Sequence, residues 1–174
     1  MWLRNAIIAI AVAALAGGCQ VRPLYMDTAT GGPLSPTPDL MAIAVDPPRD
    51  RTEQVLTNEL SFIFRGDGSR PTEPLYRLRF VLDSSDDNLA VELEQDLPAA
   101  VLITLNATFI LSEIATERTL LTGASTTTAS YDYSSQRYAN VRAEKDARER
   151  AARSMAENIA GRLAAYFAAR RSDT

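Results

Sequence analysis

Ala99-Ala100-Val101-Leu102-Ile103-Thr104-Leu105-Asn106-Ala107-Thr108-Phe109-Ile110-Leu111 decides the fold. Val101, Ile103, Leu105, Ala107, Phe109 and Leu111 alternate with Thr104, Asn106 and Thr108. Successive side chains of a strand point to opposite faces, so this is a strand with one apolar face and one polar, uncharged face. Upstream, Tyr76, Leu78, Phe80 and Leu82 share one face of a second alternating run, and Arg77 and Arg79 share the other. Asp83-Ser84-Ser85-Asp86-Asp87-Asn88 interrupts it, and Leu89, Val91 and Leu93 then resume on odd positions. That change of parity predicts a bulge if the run is one long strand, and a turn if it is not. Gln95-Asp96-Leu97-Pro98 reads as a turn into the central strand. Downstream, Glu113 to Glu117 holds the next turn, and Arg118 to Tyr133 is a Thr- and Ser-rich strand. Three strands in series with short connections make an antiparallel meander.

The flanks supply what covers the apolar face. Leu40 to Val45 is a short apolar run stopped by Pro47-Pro48, and it predicts a first strand. Asp50 offers an N-cap with Glu53 three residues on, the spacing of a capping box. The helix it opens runs from Arg51 to about Arg65, with Val55, Leu56, Leu60, Ile63 and Phe64 on one face and Gly66 at the C′ position. The Gly66–Pro74 segment is a loop. At the other end a long helix spans roughly Val141 to Arg170. Ala152, Met155, Ile159, Leu163 and Tyr166, with Phe167 alongside, form its apolar stripe. Glu144–Arg148, Asp146–Arg150 and Glu149–Arg153 are i,i+4 pairs on its outer side, each contributing roughly 0.2–0.5 kcal/mol. Arg170 and Arg171 suit the negative end of the helix dipole.

The predicted order is β-α-β-β-β-α. It gives an α+β two-layer sandwich: a mostly antiparallel four-stranded sheet with two helices on one face. The other face stays open, and Thr104, Asn106, Thr108 and the Thr126–Thr128 run make it polar and uncharged. Strand edges also stay unpaired, which invites addition to another β structure.

Composition narrows the function classes. The chain has 174 residues, and its 46% apolar content is enough for one core. Its net charge of −4 argues against a nucleic-acid binder. There is no histidine and a single cysteine, Cys19. Ser-His-Asp, Cys-His and His-zinc chemistries are excluded, and no disulfide framework or cysteine metal site can form. Lys145 is the sole lysine among 18 basic residues. An abundance of arginine suits phosphate recognition, and it equally marks a GC-rich genome. The acidic residues Asp86, Asp87, Glu92, Glu94 and Asp96 could in principle pair as a glycosidase acid and base. No aromatic platform or apolar pocket adjoins them in sequence, so they read as a solvated acidic loop.

The N-terminus predicts an address. Arg4 precedes an apolar run from Ala6 to Leu15, then Ala16-Gly17-Gly18-Cys19. Charge, apolar run and small residues in that order are the layout of a secretory signal peptide. The run is too short for a membrane-spanning helix, which needs about 20 residues. A cysteine directly after the small residues resembles the bacterial lipobox, although Leu15 stands four residues before Cys19 and Ala16 holds the usual leucine position. The expected division is a signal peptide over 1–18, a lipidated tether over 19–38 and a sandwich domain over 39–171. The tether carries Pro23, Pro33, Pro36 and Pro38, which exclude regular structure. Each buried CH₂ adds about 0.8 kcal/mol, so the three chains of a lipoprotein cysteine would anchor it permanently. Gln20 after Cys19, where an aspartate would retain an enterobacterial-type lipoprotein in the inner membrane, permits the outer membrane.

Cys19-Gln20-Val21-Arg22-Pro23-Leu24-Tyr25 resembles the Cys-Gly-Phe-Arg-Pro-Leu-Tyr opening of the lipopolysaccharide-assembly lipoproteins, the LptE family. Leu105-Asn106-Ala107-Thr108 resembles that family's Asn-Ala-Thr strand, and Tyr131-Asp132-Tyr133, Gln136 and Lys145-Asp146 fit as well. The resemblance covers the whole mature chain. It implies a non-enzymatic, cofactor-free protein of the outer membrane, facing the periplasm. Such a protein plugs and helps assemble the LptD β-barrel and delivers lipopolysaccharide to the outer leaflet. A generic scaffold lipoprotein without a barrel partner is the alternative. The resemblance also implies a basic patch for lipopolysaccharide phosphates near a strand turn and the start of the last helix. Lys145 matches the helix position, whereas the turn Glu92–Pro98 is acidic here, leaving Arg77 and Arg79 on the neighbouring strand.

Overall fold

The computed structural model describes residues 37–92 and 97–172. The expected signal peptide, Cys19, the Arg22-Pro23-Leu24-Tyr25 motif and the tether as far as Pro36 lie outside the described residues. So do Leu93, Glu94 and the Gln95-Asp96 half of the expected turn.

The chain runs α1 (Pro38–Met41), β1 (Ile43–Val45), α2 (Arg51–Arg65), β2 (Tyr76–Glu92), β3 (Leu97–Glu113), β4 (Thr119–Asp132) and α3 (Arg137–Ser172). The four strands form one sheet in the order β1-β2-β3-β4. β1 pairs with β2 in parallel, and β2-β3-β4 is the antiparallel meander. This is the α+β sandwich read from the sequence, with one parallel pair and a third, short helix.

That helix is the first difference. Leu40 and Met41, expected in a strand, belong to α1, so β1 starts only at Ile43. Pro38 at the first turn presets a helical φ and its missing N–H costs nothing there, while Asp39 suits the positive end. The second concerns the acidic interruption. β2 runs straight through Asp83–Asn88, and its register against β3 shifts between Asn88 and Ala90 and again before Val91. The bulge is thus realised, at the point where the apolar parity changes. The third is α3, which begins a turn earlier than Val141. The Asn140 side chain accepts from Ser134 N–H and donates to Ser134 C=O, both at 2.7 Å, and Gln136 N–H donates to Ser134 Oγ. These bonds tie the turn at Ser134 to the first turn of the helix.

Capping of α2 follows the sequence at Asp50, while Glu53 reaches one residue further back than a capping box requires. Asp50 Oδ1 accepts from Glu53 N–H at 2.8 Å, and Glu53 Oε2 accepts from Arg49 N–H at 2.6 Å. Gly66 closes the helix at φ +80°, a conformation that glycine adopts without strain.

The core lies between the sheet and α2 and α3. β3 contributes Val101, Ile103, Leu105, Ala107, Phe109 and Leu111, all buried as its alternation demands. α2 contributes Leu56, Leu60 and Phe64. α3 buries Met155, Ile159, Leu163 and Phe167 among alanines at 147, 151, 152, 156, 160 and 164. Alanines at the contact let a helix lie close to its neighbour. Phe167, not Tyr166, ends the buried stripe, and it packs on Tyr76 with ring centroids 4.9 Å apart. Phe109 faces Gly123 on β4, where a Cβ would meet the ring at 2.5 Å. Below it Thr127, buried, donates from Oγ1 to Ala151 C=O of α3 at 3.0 Å.

Candidate functional surfaces

Among the described residues no group of three or more His, Cys, Asp or Glu could hold a metal ion, and no helix is long and apolar enough to cross a membrane. What the fold offers instead is surface, and it falls into three parts.

The first is the open sheet face. Cross-strand pairing sets Arg79–Ile110–Thr122, Val81–Thr108–Ala124, Asp83–Asn106–Thr126, Ser85–Thr104–Thr128 and Asp87–Leu102–Ser130 side by side. Its middle is polar and nearly uncharged, and Thr126 Oγ1 donates to Asn106 Oδ1 at 2.7 Å. The alternation of β3 placed Thr104, Asn106 and Thr108 correctly; of the expected Thr126–Thr128 run, only Thr126 and Thr128 lie on this face, while Thr127 points the other way, because side chains alternate along the strand, and is buried against α3.

The second is the start of α3. Tyr138 and Val141 are 76% and 57% exposed, unusual for an aromatic and a β-branched side chain. With exposed Arg142 and Lys145 they stand at i, i+3, i+4 and i+7, on one side of the helix. The Ser134–Asn140 bonds fix the turn from which this stripe rises. Behind it Arg148 ties the helix to β2, donating to Ser84 Oγ at 2.6 Å, to Asp86 at 2.5 Å and to Glu144 at 3.1 Å. Asp86 is thereby engaged as a structural ion-pair partner. Tyr131 sits near this cluster; burial raises its phenol above the ordinary range, helped by the negative charges of Glu144 and Asp86.

The third is the cleft where β1 ends. Asp46 N–H donates to Leu78 C=O, and Pro47 then turns the chain away. A cleft of about 360 Å³ opens there beside β2, lined by Pro47, Glu53, Arg79, Phe80, Val81 and Ile110 among others. Arg77 is held by Asp46 at 2.7 Å, and both stay substantially exposed.

The three cations singled out in the sequence do not converge. Arg77 and Arg79 lie on the open face near β1. Lys145 lies on the helix layer, one turn before the arginine that reaches Ser84 and Asp86. At ~3.3 Å per strand residue, Arg79 and Asp86 are separated by roughly 20 Å along β2. Lys145 is grouped instead with Arg142, Tyr138 and Val141. Sequence reading left Tyr138 outside the helix, which it began at Val141, and did not single out Val141 and Arg142 within it. The i, i+3, i+4, i+7 spacing back from Lys145 was the signal.

A family model described as "LptE: Lipopolysaccharide-assembly" matches residues 40–163. No curated protein matches the chain by sequence. Among solved structures, a candidate lipoprotein from Caulobacter crescentus CB15 shares 20% identity and superposes with a TM-score of 0.59, covering 75% of this chain and 93% of that one. A minor lipoprotein from Acinetobacter baumannii shares 17% identity with a TM-score of 0.48, covering 71% of this chain and 88% of that one. The first of these shows a shared fold.

Proposed function

The chain belongs to the LptE lipopolysaccharide-assembly family, and from that premise we propose that it is an outer-membrane lipoprotein, anchored through Cys19, that plugs an LptD-type β-barrel and serves lipopolysaccharide insertion into the outer leaflet. The observation that carries this reading is the family match across residues 40–163, which takes in every strand and most of α3. The open sheet face is consistent with it. A barrel lumen is polar, and a plug that meets it needs hydrogen-bonding, uncharged side chains in place of an apolar surface. Thr104, Asn106, Thr108, Thr126 and Thr128 supply them.

The lipopolysaccharide contact is assigned to the start of α3. Arg142 and Lys145 would meet phosphate oxygens, Arg through two parallel N–H donors and Lys as a point charge. Tyr138 and Val141 would lie against the apolar part of the same lipid. Arg77, already paired with Asp46, and Arg79 are too far along the sheet to share that headgroup. The role is one of binding and scaffolding, with no bond made or broken by the chain.

The test is affinity purification of the tagged, lipidated protein from detergent-solubilised envelopes, read by mass spectrometry. A near-stoichiometric outer-membrane barrel supports the proposal. Recovery of the protein alone, from cells that contain the barrel, overturns it and leaves a scaffold lipoprotein on the same fold.

A further inference from the structure

The sheet has outer edges on β1, β2 and β4, and the chain treats them differently. On β1, Arg65 donates to Met41 C=O and Ile43 C=O at 2.8 and 2.9 Å, covering the edge. On β4, Arg150 and Arg162 of α3 donate to Ser130 C=O and Ala124 C=O. Such coverage is how proteins keep strand edges from pairing with other chains. β2 is different. β1 pairs with it only at Tyr76, Arg77 and Leu78, and the last bond across that edge is Asp46 N–H to Leu78 C=O. Tyr76 N–H also points that way, to Ala42 C=O. Backbone groups alternate sides along a strand, so those of Phe80, Leu82, Ser84, Asp86 and Asn88 face outward. Among the described residues no strand pairs with them on that side.

We infer that the free edge of β2 from Phe80 to Asn88 is a docking site for an extended, basic segment of another protein, which adds to the sheet as a fifth strand. The cleft where β1 turns away sits at the start of this edge and offers a pocket for one side chain of the incoming strand, as strand-addition sites do. Charge selects the occupant. Asp83 and Asp87 are exposed on the open face, and their cross-strand neighbours on β3 are Asn106 and Leu102, neither charged. A second copy of this chain docked edge to edge would set these carboxylates against their own kind, which is destabilising. A strand with lysine or arginine at the spacing of Asp83 and Asp87 would neutralise both. The inference stands on the sheet edge and does not rest on the barrel reading.

The experiment is amide hydrogen exchange of the full lipoprotein in detergent, with a Thr-rich extended peptide carrying lysines at that spacing and a counterpart carrying glutamates. With the lysine peptide at millimolar concentration, exchange should slow about tenfold or more at Phe80, Leu82, Ser84, Asp86 and Asn88, and stay unchanged at the odd positions already bonded to β3. The glutamate peptide should leave all of them unchanged. Ser84→Pro removes an outward N–H without touching the β2–β3 ladder and should abolish the protection, while Ser84→Ala keeps it. Asp83→Lys with Asp87→Lys should exchange the peptide preference on an unaltered fold. The inference is overturned by no alternating protection, by equal protection from both peptides, or by protection without peptide that grows with protein concentration, which would identify a second copy as the occupant.

Discussion

Gly123→Ala adds a single methyl group and should destabilise the protein, because the space is already taken. The new Cβ would lie 2.5, 2.9 and 3.2 Å from three ring carbons of Phe109. Phe109 is fully buried and pairs directly with Gly123 across β3 and β4. Its ring cannot yield without displacing the helices above it. Overpacking of this kind costs about 1–3 kcal/mol. Against that, replacing glycine by alanine restricts the unfolded chain and returns about 0.4–1 kcal/mol. The net expectation is a loss of roughly 1–2 kcal/mol, which at an m-value of about 1–3 kcal/mol/M moves the urea midpoint down by roughly 0.5–1 M. Phe109→Leu shortens the side chain that clashes, so the double variant Phe109→Leu/Gly123→Ala should be more stable than the two single losses sum to, by about 0.5–2 kcal/mol. Equilibrium unfolding followed by circular dichroism measures all four corners of this cycle. A neutral or stabilised Gly123→Ala, or strict additivity in the double variant, would refute the packing argument.

Three further outcomes follow from named contacts. Asp67 accepts from Ser69 N–H at 2.8 Å, and that backbone bond, followed by the Ser69 side chain, holds its carboxyl below the ordinary range. NMR titration should find Asp67 protonating at lower pH than an ordinary aspartate, with Ser69→Ala raising it; the small stability it lends is present above the unfolded value, about 3.9, and disappears as pH falls through the lower folded value. Arg148→Ala severs α3 from Ser84 and Asp86 and should cost about 1 kcal/mol in denaturant unfolding, since Asp86 and Glu144, each 41% exposed at the side chain, can rehydrate. Arg142→Glu with Lys145→Glu should weaken lipopolysaccharide binding at least ~10-fold, read by fluorescence titration, with the urea midpoint unchanged, because both side chains are exposed and neither packs in the core.

The parts of the fold that were legible in the sequence are those where one physical rule acts alone. The alternation of β3 had a single reading, and all six of its apolar positions are buried. Asp50 and Gly66 bound α2 as their capping chemistry requires. All three expected i,i+4 pairs on α3 form. Legibility failed where local and tertiary terms compete. Leu40 is buried whether it sits in a helix or a strand, so burial could not reveal that Pro38 starts a turn of helix. The Asp83–Asn88 run has low strand propensity, yet continuous pairing with β3 overrides it. The start of α3 depends on a side chain, Asn140, reaching back six residues to Ser134, which no helical periodicity encodes. For the candidate site, Lys145 was visible as the sole lysine and Val141 and Arg142 lay within the expected helix, but Tyr138 joins them only because the helix begins at Arg137. The separation of Arg77 and Arg79 from Lys145 is a property of the layered packing, which sequence spacing does not report.

The proposed plug role puts the polar sheet face against the wall of an outer-membrane barrel. A photo-crosslinking amino acid placed at Thr126, and separately at Thr104, in living cells tests it most directly. Both positions lie on that face, on β4 and β3. An ultraviolet-dependent adduct between the lipoprotein and an LptD-type barrel is expected from each position. Variants present at normal levels that give no barrel adduct from either would contradict it.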